Sequence, residues 1–373
     1  MLAPADLLAG LRRRGVDFFT GVPDSLLAPF CAQVEDDCTP QQHVIAANEG
    51  NAVALAAGFH LGSGRLAAVY LQNSGLGNAI NPLTSLTDGE VYRIPLLLIV
   101  GWRGEPGVAD EPQHVKQGRI TPEQLRLLEI PYLLLDVGSA LETVLDDAFA
   151  LLAHLQTPVA LLVRKGALGP YVAQRSAVRS ASLGREDALR EILALVRPDD
   201  AIVATTGKTS RELHELRLAR GERPRDFLCV GNMGHTSSLA LGVALGNPRR
   251  RVICLDGDGS LLMHLGALAT IGAVCPPNLL HVLLNNGAHE SVGGQPTVAD
   301  GMDFAALAQA TGYAAHRQVD SLAALQGCWP TLDTYAGPVL LEIVITQGGR
   351  ADLGRPSGTP AENKRAFIEA IRD

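Results

Sequence analysis

Large aromatic rings are scarce: Trp, Tyr and Phe together make up 4% of the 373 residues. Proteins that grip single-stranded nucleic acid stack bases on such rings and follow the backbone with cations. This chain is short of both, because 39 acidic residues outnumber 31 Lys and Arg and leave a net charge of −8. An acidic surface repels polyphosphate at long range, so nucleic acid is not an expected partner. Nor is there a run of about 18 uninterrupted apolar residues, so no membrane association is expected. In the opening MLAPADLLAGLRRRG the arginines follow the apolar residues, the reverse of a secretory leader. Cysteines number six, none in C-x-x-C spacing and most with apolar neighbours, as in Val252-Ile253-Cys254. They read as buried free thiols in a reducing, cytoplasmic compartment.

What the chain does have is core material. Hydrophobic residues are 47%, and the length suits two domains or three small ones. Apolar runs at 67–71, 95–100, 159–163, 201–204, 251–255, 279–285 and 339–345 lack polar alternation, as parallel strands buried on both faces do. Helix-period stretches such as 50–61 and 261–274 lie between them. Repeated βα units predict α/β architecture with doubly wound, mostly parallel sheets. Composition shifts once, at KGALGPYVAQRSAVRSASLGR (165–185), which lacks an apolar period. We expect an N-terminal domain over 1–168, a linker over 169–186 and a C-terminal domain over 187–373. Binding sites in such sheets form at the carboxyl ends of strands.

The most informative segment is VICLDGDGSLLMHLGALATIGAVCPPNLLHVLLNNGAHESVGGQPT, from Val252. A buried strand runs into Asp256-Gly257-Asp258-Gly259-Ser260, where glycines permit close backbone approach and a helix start offers N–H groups to an anion. A dinucleotide fingerprint would need glycine at 262, where Leu262 stands. Asp258 points elsewhere, since a carboxylate beside phosphates repels them unless a divalent cation intervenes. The next strand ends in Asn285-Asn286-Gly287, and Asp, Asn and backbone oxygens are hard ligands suited to Mg²⁺.

This pattern, GDGS followed 28 residues after Asp258 by the second asparagine of NN, resembles the motif of thiamine-diphosphate-dependent decarboxylases and carboligases. The resemblance implies Mg²⁺ ligands at Asp258, Asn286 and the Ala288 carbonyl, with Asn285 the alternative to Asn286. It implies a diphosphate cradle at Gly257, Gly259 and Ser260. Thr205-Thr206-Gly207-Lys208-Thr209-Ser210 resembles the family's second diphosphate turn, which implies contacts from Thr206, Gly207 and Lys208. Gly231-Asn232-Met233-Gly234 resembles the segment that bends the cofactor, with Gly231 lining it and Met233 as the wedge. Such a cofactor reacts as an ylid formed by a proton relay from a buried glutamate. Glu49, in VIAANEGNA, fits that part, since its apolar neighbours predict burial and a raised carboxyl pKa. In this family the glutamate and the diphosphate site come from different subunits, which implies a homodimer or higher homo-oligomer with active sites at the subunit interface.

Within the family, the two-domain form without a middle domain resembles the phosphonopyruvate and sulfopyruvate decarboxylases. GVPDS at 21–25, DEPQHVKQG at 110–118 and NNGAHESVGGQPT from Asn285 are similar to the former. The implied reaction takes a small anionic 2-keto acid, 3-phosphonopyruvate, to phosphonoacetaldehyde and CO₂ in phosphonate biosynthesis. Sulfopyruvate or another 2-keto acid is the alternative. His114 and Asp24 are candidate proton donors, and Ser25, Arg103, Lys116 and His289 candidate anion partners. A nicotinamide dehydrogenase and a non-catalytic relative remain as competing readings. Leu262 weighs against the first, intact Glu49 and Asp258 against the second.

Overall fold

The computed structural model describes residues 1–174 and 181–372, which form two compact units, each around its own sheet. The first sheet contains β1 (Val16–Gly21), β2 (His43–Ile45), β3 (Leu66–Gln72), β4 (Leu97–Gly101), β5 (Tyr132–Leu135) and β6 (Val159–Val163), in the order β2-β1-β3-β4-β6-β5. The second contains β7 (Ala201–Ala204), β8 (Phe227–Leu228), β9 (Val252–Gly257) and β10 (Leu279–Asn285), then Ala315–Val319 and Val339–Val344. Counted from its own first strand, its order is the same, 2-1-3-4-6-5. All pairings in both are parallel. One winding is thus used twice, as the sequence predicts for doubly wound α/β units.

Strand β4 shows why the runs do not alternate. Leu97 and Ile99 enter one apolar layer with Phe30 and Leu161, while Leu98 and Val100 enter the opposite layer with Val69 and Leu162. Helices cover both faces, so every position is buried. Each such side chain contributes about 1.5–3 kcal/mol on leaving water.

Five strands of the two sheets lie outside the expected runs: β1, and the four sheet edges β2, β5, β8 and Ala315–Val319, where one flank has no partner strand. The stretch 261–274, expected as one helix, is two: Asp258–Met263 and Gly266–Val274. His264 breaks it, leaving helical dihedrals at φ −134° and ψ 54°. Arg185, placed by composition in an exposed linker, instead begins the helix Arg185–Leu195, where it is buried. Residues 175–180 of the expected linker lie outside the described residues. None of the six cysteines is in a disulfide, and Cys275 departs from the expected burial by being exposed. Among the described residues no helix is long and apolar enough to cross a membrane.

In each sheet the chain moves from the first strand out to the second and returns to the third on the other side. This reversal opens a crevice beyond the carboxyl ends of the first and third strands. In the first unit those ends carry Asp24 and Gln72; in the second, Thr205 and Asp258.

Candidate functional site

In the second unit three loops meet at strand ends. Gly207, at φ +91° and ψ −139°, turns the chain from β7 into the helix Lys208–Ala219, a conformation open to glycine. Thr206 Oγ1 accepts the Gly231 N–H at 2.9 Å, and Ser260 Oγ is met by Thr205 Oγ1 at 3.1 Å and the Gly234 N–H at 3.2 Å. These bonds bring together the residues picked out at 206–208, 231–233 and 257–260. Gly259 sits in a tight turn: a Cβ there would lie 3.1 Å from His289 Nδ1 and 3.3 Å from Met233 Cε, so those side chains would have to give way.

Asp258 heads its helix at 2% exposure. Burial pushes its carboxyl up to about 6, against the Thr297 hydroxyl, which donates at 2.5 Å, and backbone N–H groups including that of Asn286. Asn286 Oδ1 accepts the Ala288 N–H at 3.0 Å across Gly287, whose φ is +68°. Its neighbour Asn285 is otherwise engaged, donating to Glu342 at 2.8 Å and accepting from the Gly287 N–H at 3.2 Å. Register places Gly257 beside Leu284, so the Asp258 and Asn286 segments leave adjacent strand ends. A buried carboxylate beside an amide oxygen suits a hard divalent cation, and the crowded Gly259 turn suits a diphosphate held by backbone N–H groups. The residues present therefore fit the diphosphate end of thiamine diphosphate and its metal. His289 is buried, which pushes its imidazole down to about 4. It is a neutral partner at neutral pH and not a cation.

Glu49 opens the helix Glu49–Ser63 of the first unit. Asn48 caps that helix, accepting the Gly50 N–H at 2.8 Å, and so fixes where Glu49 stands. Glu49 is 5% exposed, and burial raises its carboxyl pKa despite the 2.7 Å bond from Asn78 Nδ2. Gly75 lies against it: a Cβ there would come within 2.4 Å of Oε1.

Beyond β4, Arg103 is held by its own fold. Its backbone exchanges hydrogen bonds with the Asn73 side chain, and Nη1 donates to Ser25 Oγ at 2.6 Å. Nε and Nη2 grip Asp110 at 2.8 and 2.5 Å. Asp110 also accepts from His114 Nδ1 at 2.9 Å and from the N–H groups of Gly104 and Glu111. Burial works to raise the Asp110 carboxyl, but the Arg103 and His114 bonds hold it well below the usual range. Asp24 is fully enclosed, and burial raises it. Its oxygens already accept from Gln72 Nε2 at 2.7 Å and from the Leu26 and Leu27 N–H groups. Lys116 is exposed; two residues from His114, it faces away around the helix Pro112–Leu127.

Arg103 and His114 are thus joined through one carboxylate that sequence reasoning did not single out, and Ser25 joins them through Arg103. The i,i+4 spacing of Asp110 and His114 was the available signal. Asn78, Thr297 and Glu290 were also missed, each being distant in sequence or ordinary in type.

The thiamine pyrophosphate enzyme N-terminal TPP-binding domain matches residues 3–125, and the C-terminal TPP-binding domain matches 205–343. The chain is 42% identical to a phosphonopyruvate decarboxylase from Streptomyces viridochromogenes, covering 98% of this chain and 94% of that one. It is 41% identical to the phosphonopyruvate decarboxylase of Streptomyces hygroscopicus, over 99% and 94% of the two chains. A sulfopyruvate decarboxylase from Methanosarcina acetivorans is 31% identical over 78% of this chain and 77% of its own. With both cofactor-binding domains matched and similarity running nearly end to end, the chain belongs to the thiamine-diphosphate-dependent decarboxylases, in the phosphonopyruvate decarboxylase family.

Proposed function

We propose that the enzyme decarboxylates 3-phosphonopyruvate to phosphonoacetaldehyde and CO₂. The observation that carries this reading is the near full-length similarity to two phosphonopyruvate decarboxylases, at 42% and 41% identity. The net reaction breaks the bond between the carboxylate and the keto carbon, and one proton takes the place of CO₂ on that carbon. Bound thiamine diphosphate supplies the electron sink for this cleavage. Asp258, Asn286 and the Ala288 carbonyl would hold Mg²⁺, and Gly257, Gly259, Ser260, Thr206, Gly207 and Lys208 would hold the diphosphate, with Gly231 and Met233 alongside.

Glu49 holds the proton that the aminopyrimidine exchanges, kept available by burial. Arg103 is the fixed cation for the phosphonate, with Ser25 beside it. His114 is a better placed proton donor than Asp24. Asp110 occupies its Nδ1 and leaves Nε2 for the reacting carbon, whereas both Asp24 oxygens are taken by the fold. The enzyme works as a homodimer or larger homo-oligomer, with Glu49 of one copy serving the diphosphate site of another. The deciding measurement is CO₂ release from phosphonopyruvate and sulfopyruvate side by side. Faster turnover of phosphonopyruvate is expected, and faster turnover of sulfopyruvate overturns the substrate assignment.

A further inference from the structure

Glu290 lies five residues after Asn285 and belongs to neither the diphosphate turns nor the metal ligand set. Its carboxylate nevertheless receives four donors, two on each oxygen. Lys208 Nζ donates to Oε1 at 2.7 Å and the Gly348 N–H to the same oxygen at 3.0 Å. Arg185 Nη1 donates to Oε2 at 2.6 Å and Asn286 Nδ2 to Oε2 at 3.0 Å. Arg185 is itself immobilised: its Nε and Nη2 fork grips Glu212 at 2.8 and 2.9 Å, and the two side chains are 6% and 1% exposed.

The bond to Asn286 decides which way that amide faces. A carboxylate only accepts, so the NH₂ group must point at Glu290 and the oxygen must point away. The same oxygen accepts the Ala288 N–H and thereby shapes the turn that carries the Ala288 carbonyl. With the amide reversed, an oxygen would face the carboxylate and the Ala288 N–H would lose its acceptor. We propose that Glu290 is a positioning residue for the metal end of the cofactor site, fixing Asn286 and Lys208 from one carboxylate clamped by Arg185. This rests on the reading of Asp258 and Asn286 as Mg²⁺ ligands. Lys208 then reaches the diphosphate from a shared salt bridge instead of as a free ammonium.

The test is equilibrium dialysis of thiamine diphosphate against the full-length protein at increasing Mg²⁺, independent of turnover. Glu290→Gln should raise the half-saturating Mg²⁺ concentration about 10–100-fold, the range lost when outer-shell partners of metal ligands are removed. Asn286→Asp places two carboxylates face to face and should also weaken binding. The double variant Asn286→Asp/Glu290→Gln restores a donor and an acceptor with their roles exchanged, so it should bind Mg²⁺ more tightly than either single variant. A purely structural role for Glu290 would give no such rescue. Should Glu290→Gln fail to fold, Glu290→Asp, one methylene shorter, carries the same measurement. A folded Glu290→Gln with unchanged Mg²⁺ requirement, or a double variant no better than the singles, overturns the proposal. Asp258→Ala separates the two ideas: if it also leaves the requirement unchanged, the metal assignment fails and the proposal with it.

Discussion

Asn78 donates a 2.7 Å hydrogen bond to Glu49 Oε2 from a helix 29 residues further along the chain, on a carboxyl that is 5% exposed. The bond favours the anion and burial favours the acid; burial is the larger effect. A carboxyl whose acid form is favoured by burial can give a proton and take it back, as the proposed relay requires.

Glu49→Gln should therefore keep cofactor binding and lose about 10²–10⁴ in kcat, the usual scale for general acid–base catalysis. The same variant should melt at a higher temperature than the parent at pH 7. Glu49 has a folded pKa above its unfolded value, so its favourable contribution exists in the protonated form and is lost as pH rises through the folded pKa. The melting difference should shrink as pH falls towards about 4.5, the ordinary glutamate value. Thermal scans from pH 4.5 to 8 check this, and a gap that is constant across the range contradicts it.

Mixing two inactive proteins tests the shared site. In hybrids of Glu49→Gln with Asp258→Ala, one of the two sites receives an intact Glu49 from one chain and an intact Asp258 from the other. Activity should reappear on subunit exchange, approaching half of the parental value per hybrid dimer. Sites built within single chains would give none.

Arg103 grips Asp110 with a planar fork and reaches Ser25 with the remaining nitrogen. Lysine cannot reproduce both contacts. Arg103→Lys should raise KM for phosphonopyruvate about 10–100-fold, the equivalent of one charged hydrogen bond at 1.5–3 kcal/mol. The change in kcat should be smaller. Steady-state kinetics separate the two, and an unchanged KM would remove Arg103 from the anion pocket.

Gly75→Ala places a methyl group within 2.4–2.6 Å of the Glu49 carboxyl and its Cγ. Relief requires either a backbone shift, at about 1–3 kcal/mol of stability, or displacement of Glu49. Activity should fall further than the melting temperature accounts for, measured as kcat on folded protein at 25 °C.

Much of this was legible along the chain because the relevant signals are local. Glu49 lies in an apolar setting of adjacent residues, and the Asp258–Ala288 segment carries two strand ends and both turns within 31 residues. Every strand found from composition is flanked on both sides by others, whose burial forces an apolar run, although β1, flanked too but interrupted by Asp17 and Thr20, was not among them. Edge strands such as Ala315–Val319 escape that demand, and the break at His264 follows from no residue type that ordinarily ends a helix.

By itself the sequence determined the doubly wound architecture, the absence of a long apolar span and the residue types of the cofactor loops, since each depends on neighbours a few positions apart. Only the tertiary structure decided which polar groups are already spoken for. Asp24 is saturated by Gln72 and two backbone N–H groups, Lys208 is paired with Glu290, and Arg103 and His114 are tied to one carboxylate at Asp110. A hydrogen bond is met wherever folding brings a donor to an acceptor, over 82 residues for Lys208 and Glu290. Sequence shows which side chains could act, while packing and hydrogen bonding leave some free to do so and assign the rest to hold them in place.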